Sequence, residues 1–416
     1  MLDRQRLIVL NDTAAFSGGA AQIAIMTARL AAQNGWETRF VVGDARPPDP
    51  QLAAAGVKVQ QFGFNRLLET GSRLAAARRG LWNGEAGRWV AGMIAEAGPN
   101  CLFHLHMWTQ TLSPSVLAAL APVAERTLVT LHDYSAACPN GGFFDYRLGL
   151  PCPLEPLSRA CVMRDCDKRS YAQKLWRVGR QLAQRGPAGF PGKFRHFICV
   201  SPGQAARLRP SLPQDARLVT VHNPVARLRE DRVKAETNTD VVWIGRISEE
   251  KGWRLFAGAV RKGGLASHVR VAGDGPDAAE MQALLPEARF EGWLSADRVS
   301  DLLGTARILV FPSIWEETYG LSAAQAAACG VPVLISDRCG AADDIQRLQG
   351  DGVFPGGDEA ALVGLIARWW QDDAGIRARS KRAWAGWQAS PLDEAGYWDA
   401  LEAEYRLAGG RERVSP

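Results

Sequence analysis

Arg246 and Lys251 stand five residues apart behind the apolar run Val241–Ile244, which ends in Gly245. A planar guanidinium fork followed by a point-charge ammonium suits a diphosphate whose negative charge grows as it leaves. Two solvated surface cations would have the same spacing, so the pair carries weight only together with a second motif. Further along the chain, Phe311-Pro312-Ser313-Ile314-Trp315-Glu316-Glu317 leads through Gly320, Leu321 and Ser322 into a helical stretch that carries Gln325. Glu317 is placed to accept hydrogen bonds from ligand hydroxyls, and the N–H groups near Leu321 and Ser322 face an anion at a helix start. The plainer reading of Glu316 and Glu317 is that they favour the helix dipole. Near the N-terminus, Phe16-Ser17-Gly18-Gly19-Ala20 separates a short apolar run from an Ala-rich helix. Gly18 and Gly19 there permit close backbone approach to a ligand, although the full dinucleotide fingerprint GxGxxG is absent.

Other groupings are less specific. Cys138, Cys152, Cys161 and Cys166, half of the eight cysteines, fall within 138–166. Four thiolates can hold a structural zinc, but no spacing is C-x-x-C and no histidine lies inside the cluster, so unligated thiols in an insertion are the preferred reading. Asp165-Cys166-Asp167 is the one Asp-x-Asp; without an apolar strand before it, it reads as solvated loop carboxylates rather than a metal-holding pair. From Lys168 to Arg195 eight side chains are basic and none acidic, with Tyr171, Leu175, Trp176 and Leu182 interleaved. Such a helix suits an anionic membrane surface, or is an ordinary solvated face with a buried stripe. Nucleic acid is not indicated, because no recognition motif accompanies the charge.

These residues need elements to hold them. Short apolar, often β-branched runs alternate with helical stretches: Leu7–Leu10, Phe40–Val42, Leu102–Leu105, Leu128–Leu131, Phe197–Val200 and Leu218–Val221. The rhythm resumes with Val241–Ile244, Val269–Ala272, Ile308–Phe311 and Val331–Ile335. Strands this apolar imply parallel sheets covered on both faces. The 416 residues predict two or three domains, and the two series place an α/β domain over 1–225, with the insertion 138–166, and another over 241–390. The charged stretch 226–240 reads as a linker and 391–416 as a terminal helix. Composition is that of an ordinary globular protein, 47% hydrophobic and 22% charged. Charge is uneven: residues 1–225 hold 26 basic against 15 acidic residues, and the remainder 23 against 29. An anionic partner met by the first domain would suit this. The apolar run at the N-terminus is too short for a signal-peptide core, and the 19-residue uncharged stretch Thr318–Ser336 is broken by Gly320, Gly330 and Pro332. A cytoplasmic protein with reduced cysteines is expected, peripheral at the inner membrane face if the basic run binds lipid.

Taken in order, Ser17-Gly18-Gly19, Gly245-Arg246, Lys251-Gly252, Gly273-Asp274-Gly275-Pro276, Pro312-Ser313 and Gly330-Val331-Pro332-Val333 resemble the retaining glycosyltransferases of family 4, across nearly the whole chain. The resemblance implies the GT-B fold, two facing Rossmann-like doubly wound domains with an interdomain cleft, and transfer of a sugar from a nucleotide diphosphate donor to a glycan or lipid-linked acceptor in surface polysaccharide biosynthesis. It places Arg246 and Lys251 on the diphosphate, without a metal, and Glu317 on the donor sugar. Gly18 and Gly19 fall on the phosphate side, His132 (in Thr130-Leu131-His132-Asp133) beside the reacting sugar, and Leu294 near the nucleobase. The family's second glutamate, on the ribose, falls at Gln325, which keeps a carbonyl acceptor and loses the charge. Two alternatives stay open: a nucleotide-sugar epimerase on the same architecture, and a non-catalytic sugar-nucleotide-binding partner whose activity went with that change.

Overall fold

The computed structural model describes residues 5–16, 18–65, 71–390 and 392–410. Contacts divide the chain into two units: the first takes in residues up to Gly142, Pro153–His222 and the chain from Glu394, and the second Phe143–Cys152 and Asn223–Asp393.

The first unit is built on β1 (Arg6–Asn11), β2 (Glu37–Val42), β3 (Lys58–Gln61), β4 (Cys101–Leu105) and β5 (Thr127–Leu131). A two-stranded antiparallel ribbon, β6 (Phe144–Asp145) and β7 (Leu150–Pro151), interrupts the series, which ends with β8 (His196–Cys199) and β9 (Arg217–Thr220). The order across the sheet is β3-β2-β1-β4-β5-β8-β9, and the registered pairs are parallel. Every residue of β4 and β5 is buried, as expected for strands covered on both faces. The sequence pattern locates all these strands except β3 and the ribbon. Lys58-Val59-Gln60-Gln61 is a polar edge strand with half-open side chains, so it lacks the apolar run that marks the others.

The second unit carries β10 (Asp240–Ile244), β11 (Val269–Ala272), β12 (Arg289–Gly292), β13 (Ala306–Phe311), β14 (Val333–Ser336) and β15 (Val353–Phe354). These form a parallel sheet in the order β12-β11-β10-β13-β14-β15. The unpredicted strands, β12 and β15, are again the edges. Residues 226–240 run along this unit: Val233 N–H bonds the Cys329 carbonyl at 2.9 Å, and Ser380 Oγ donates to the Val233 carbonyl at 3.0 Å.

The terminal helix Glu394–Ala408 belongs to the first unit and closes its core. Tyr397, Trp398, Leu401 and Tyr405 are buried against the helix Gly19–Gln33 and the sheet. Polar atoms fix its register: Tyr397 pairs with Thr27 at 2.7 Å, and Glu404 receives both Nε and Nη2 of Arg217.

Candidate functional site

In the second unit the motif residues gather at the carboxyl ends of β10 and β13, where open parallel sheets receive ligands. Gly252 has φ 74°, and a Cβ there would lie 1.9 Å from the Pro312 carbonyl oxygen. Only glycine therefore lets the turn after β10 lie against the loop after β13. The turn is then pinned: the Glu250 carbonyl accepts from Ile314 N–H (3.1 Å), Trp315 N–H (3.2 Å) and Ser313 Oγ (3.2 Å). The Glu317 backbone is clasped to the chain after β14, its N–H donating to the Arg338 carbonyl and its carbonyl accepting from Gly340 N–H, both at 2.9 Å. These constraints bring Lys251 and Glu317, 66 residues apart, into a charge-assisted hydrogen bond. Lys251 Nζ also lies 5.0 Å from the centre of the Trp315 ring. Both side chains keep some exposure, 21% and 12%.

Arg246 is exposed immediately after β10. Gly320, at φ 110°, caps the helix Leu321–Ala328 without a side-chain cap, which leaves the first N–H groups of Leu321 and Ser322 at the open end. Ser322 Oγ donates to the Ile244 carbonyl at 3.1 Å, tying this helix to the end of β10. Gln325 is half-buried on the same helix. Leu294 follows β12, half-buried beside the exposed Trp293. The Gly273–Gly275 motif packs on the Gly245–Ile247 turn, with Ile247 N–H bonding the Asp274 carbonyl at 3.0 Å. Cβ atoms at 273 and 275 would lie about 2 Å from the carbonyl oxygens of Gly245 and Ile247. Its role is thus to shape the turn that presents Arg246.

In the first unit His132 follows β5 and forms part of a stack of imidazoles that sequence reasoning did not anticipate. His132 Nε2 and His106 Nδ1 are hydrogen-bonded at 2.8 Å with their rings stacked, and His106 lies against His104 with ring centres 4.2 Å apart and planes tilted by 37°. His104 is held from both sides at 2.7 Å, by Tyr405 Oη and Thr130 Oγ1. Burial keeps all three neutral, pushing His104 down to about 3, His132 to about 4 and His106 well below the usual histidine range. Asp133 moves the other way, raised by burial.

Gly18 and Gly19 line an open pocket of about 180 Å³ together with Asn11, Asp44, Arg46 and Gln110. Its wall is fastened by buried Asp12, whose carboxylate accepts the backbone N–H groups of Thr109, Gln110, Thr111 and Leu112 at 2.8–3.0 Å. Nothing local in the sequence marks Asp12, since its partners lie some hundred residues away.

Two sequence expectations need correction. Lys168, Arg169 and Lys193 of the basic stretch are exposed, but its helix does not present a solvated basic face. On the helix Tyr171–Arg185 Lys174 is fully buried, Arg177 pairs with Asp167 at 2.9 Å, and Arg180 donates to the Thr109 carbonyl at 3.2 Å. What this helix exposes is Tyr171, Leu175 and Leu182. The Asp-x-Asp pair is not solvated either: Asp167 is 1% exposed, because it neutralises Arg177. All eight cysteines are buried and none is in a disulfide. Cys161 and Cys166 lie 3.6 and 3.2 Å from Lys174 Nζ, and Asn140 Nδ2 donates to Cys166 Sγ at 3.1 Å. Among the described residues no group of three or more His, Cys, Asp or Glu side chains has a metal-holding arrangement.

Comparison with known proteins bears on this geometry. Residues 238–372 match the family of glycosyl transferases group 1. A 2-deoxystreptamine N-acetyl-D-glucosaminyltransferase of Streptomyces fradiae is 35% identical over 187 residues, 41% of this chain and 42% of that protein. A GDP-mannose-dependent alpha-mannosyltransferase of Corynebacterium glutamicum is 28% identical over 147 residues, 35% of each chain. The chain thus matches less than half the length of these curated relatives. Among solved structures, sucrose-phosphate synthase from Thermosynechococcus elongatus superposes with a TM-score of 0.65 at 18% identity, over 98% of this chain and 100% of that one. WaaG, a glycosyltransferase involved in lipopolysaccharide biosynthesis, gives 0.62 at 16% identity, over 97% and 100%. With its two parallel-sheet Rossmann-like units the chain has the GT-B fold.

Proposed function

We propose that the protein, whose residues 238–372 are a glycosyl transferases group 1 domain, transfers a sugar from a nucleotide diphosphate donor to a hydroxyl-bearing acceptor, with retention and without a catalytic metal. The observation that carries this reading is the Lys251–Glu317 pair at the carboxyl end of the second sheet, with Arg246 exposed on the turn that leads to Lys251. Lys251 and Arg246 would take the charge that develops on the departing diphosphate. Glu317, which balances Lys251 before the donor arrives, would turn its carboxylate to the sugar hydroxyls. The N–H groups of Leu321 and Ser322 would hold a phosphate, Gln325 the ribose, Leu294 the base, and His132 the donor sugar. The relatives named for 2-deoxystreptamine and for GDP-mannose support a small or glycan-like acceptor and a nucleotide sugar.

The decisive experiment is a panel of nucleotide sugars read by thermal shift and then by product analysis with candidate acceptors. A donor that stabilises the protein and yields a product of retained anomeric configuration supports the reading. Isomerised donor with no transfer would replace it with an epimerase. Turnover should survive EDTA, and a requirement for added magnesium or manganese would refute the metal-free step.

We further infer reversible attachment to an anionic membrane through the exposed Tyr171, Leu175 and Leu182, flanked by exposed Lys168 and Arg169. No helix among the described residues is long and apolar enough to cross a membrane. The acceptor would then be lipid-linked and met at the inner face, in assembly of a surface glycan.

A further inference from the structure

The pocket in the first unit is built, and its unmet hydrogen bonds describe a ligand. Three devices hold it rigid. Asp12 binds four successive backbone N–H groups of 109–112. Gly43 allows the chain after β2 to touch Thr111, since a Cβ at 43 would lie 2.2 Å from Thr111 Oγ1. Arg46 donates to Asp44 Oδ2 at 2.7 Å and to Thr13 Oγ1 at 2.8 Å, locking the Asp44 carboxylate in place.

Around this frame two buried acceptors have no partner. Asp44 is 2% exposed and its Oδ1 is unbonded; Asn11 is 1% exposed, its Nδ2 given to the Thr13 carbonyl while its Oδ1 is unbonded. Leaving such an atom unmet costs free energy that a ligand recovers. Opposite them the helix Gly19–Gln33 begins with no side-chain cap, so the N–H groups of its first turn look for an acceptor. The complementary ligand therefore carries donors for Asp44 and Asn11 and an oxygen for the helix start, which is the pattern of a hydroxylated ring. The charged side chains lining the pocket are Asp12, Asp44 and Arg46, two carboxylates against one guanidinium. An ammonium would meet that excess well.

We propose that this pocket binds a polyhydroxylated ring bearing a protonated amine, with Asp44 selecting the amine. The inference rests on the glycosyltransferase reading for its meaning, since the ring would be the acceptor, but not for its test. Binding is measured on the full chain without any donor, by calorimetry or saturation-transfer NMR. The probes are 2-deoxystreptamine, a diamino cyclitol, and myo-inositol, its all-hydroxyl counterpart. The diamine should bind about tenfold tighter or better, the discrimination expected of one charge-assisted contact. Asp44→Asn, which keeps the shape and an acceptor for Arg46, should erase that preference while leaving inositol binding and the thermal response to nucleotide sugars unchanged. A second variant, Ala20→Phe, fills the pocket from the half-exposed first turn without removing any polar partner, and should abolish binding of both probes. Equal affinity for the two, or an undiminished preference in Asp44→Asn, would overturn the proposal. So would diamine binding that survives Ala20→Phe. Failure of every nucleotide sugar to bind would instead strike the functional reading, because Arg246, Lys251 and Glu317, which that reading assigns to the donor, lie in the other unit.

Discussion

Lys251 and Glu317 are charged, partly open to water and drawn from loops that follow two neighbouring strands. His104, His106 and His132 are neutral; His104 and His106 are enclosed, His132 is half-buried, and His104 is tied through Tyr405 to a helix 301 residues further along the chain. The second unit thus keeps charge where an incoming anion can use it, whereas in the first the imidazoles are neutral and bonded mainly to one another and to neighbouring hydroxyls. Asp44 Oδ1 and Asn11 Oδ1, in the same unit, are left unbonded. On the proposed function, the accessible charge of the second unit would serve the reacting group, while buried His104 and His106 fix geometry.

The strongest way to break that contrast is to remove the charges of the second unit. Lys251→Ala and Arg246→Ala should each lower turnover by about 10² to 10³, the usual loss when one donor to a developing anion is deleted. Glu317→Ala should also be severe, because it would remove the proposed sugar contact and leave Lys251 without its counter-charge. Near-normal rates in steady-state assays of all three would move the diphosphate elsewhere.

Acid should separate the units next. An unfolded histidine takes up a proton near pH 6.5, while folded His104 and His132 resist until about 3 and 4. Below about pH 6.5 the unfolded state therefore binds more protons, and stability falls with pH. By pH 5 the cost is about 2 kcal/mol for each. Buried carboxylates of the second unit behave differently: Arg232 hydrogen-bonding to Glu236 lowers its carboxyl from 4.5 to about 2, so its contribution is lost only below about pH 4.5. Hydrogen exchange at pH 5 should show the first unit opening more readily than at pH 7 and the second little changed. Uniform opening of both would mean the imidazole stack is not the acid-sensitive element.

Gln325 tests how finely the second site is tuned. Gln325→Glu should keep turnover within a few-fold and tighten donor binding modestly, since a carboxylate bonds hydroxyls more strongly than an amide does. Loss of activity in Gln325→Glu, with Glu317→Ala unaffected, would show that the ribose and sugar positions are assigned to the wrong residues.

The contrast also explains what could be read from the sequence. The central strands were legible because each is buried on both faces and so reads as an unbroken apolar run, whereas Lys58–Gln61 and Arg289–Gly292 are half-exposed edges with mixed side chains. Lys251, Gly252 and Glu317 were legible because a turn that must touch a neighbouring loop needs glycine at a fixed place, and the cation goes with that turn. Asp12, His104 and His106 were not, because a single buried polar residue takes its meaning from partners that only the folded sheet brings near. The basic run misled for the same reason: nothing in Lys168–Arg195 announces that Asp167 and the Thr109 carbonyl will draw Arg177 and Arg180 inward.

The inward turn of these cations leaves any membrane contact to the apolar residues that the helix exposes, so its expected effect is the smallest. Reversing Lys174, Arg177 and Arg180 would unfold the helix's inner contacts rather than probe a surface, so vesicle binding must be tested on the residues the helix exposes. Tyr171, Leu175 and Leu182 are 38%, 43% and 56% exposed, and fully burying a leucine side chain is worth about 1.5 to 3 kcal/mol. Half-exposed ones would give less, and each neighbouring Lys or Arg adds about 1 kcal/mol at an anionic surface. Sedimentation with anionic vesicles should therefore show weak binding that declines with added salt, because the charge part is screened, but retains a salt-resistant remainder from the leucines. Leu175→Ser with Leu182→Ser should remove that remainder while leaving donor binding intact. If binding vanishes entirely with salt in the unaltered protein, the apolar face takes no part; if no vesicle binding is seen at low salt, the acceptor is met in solution.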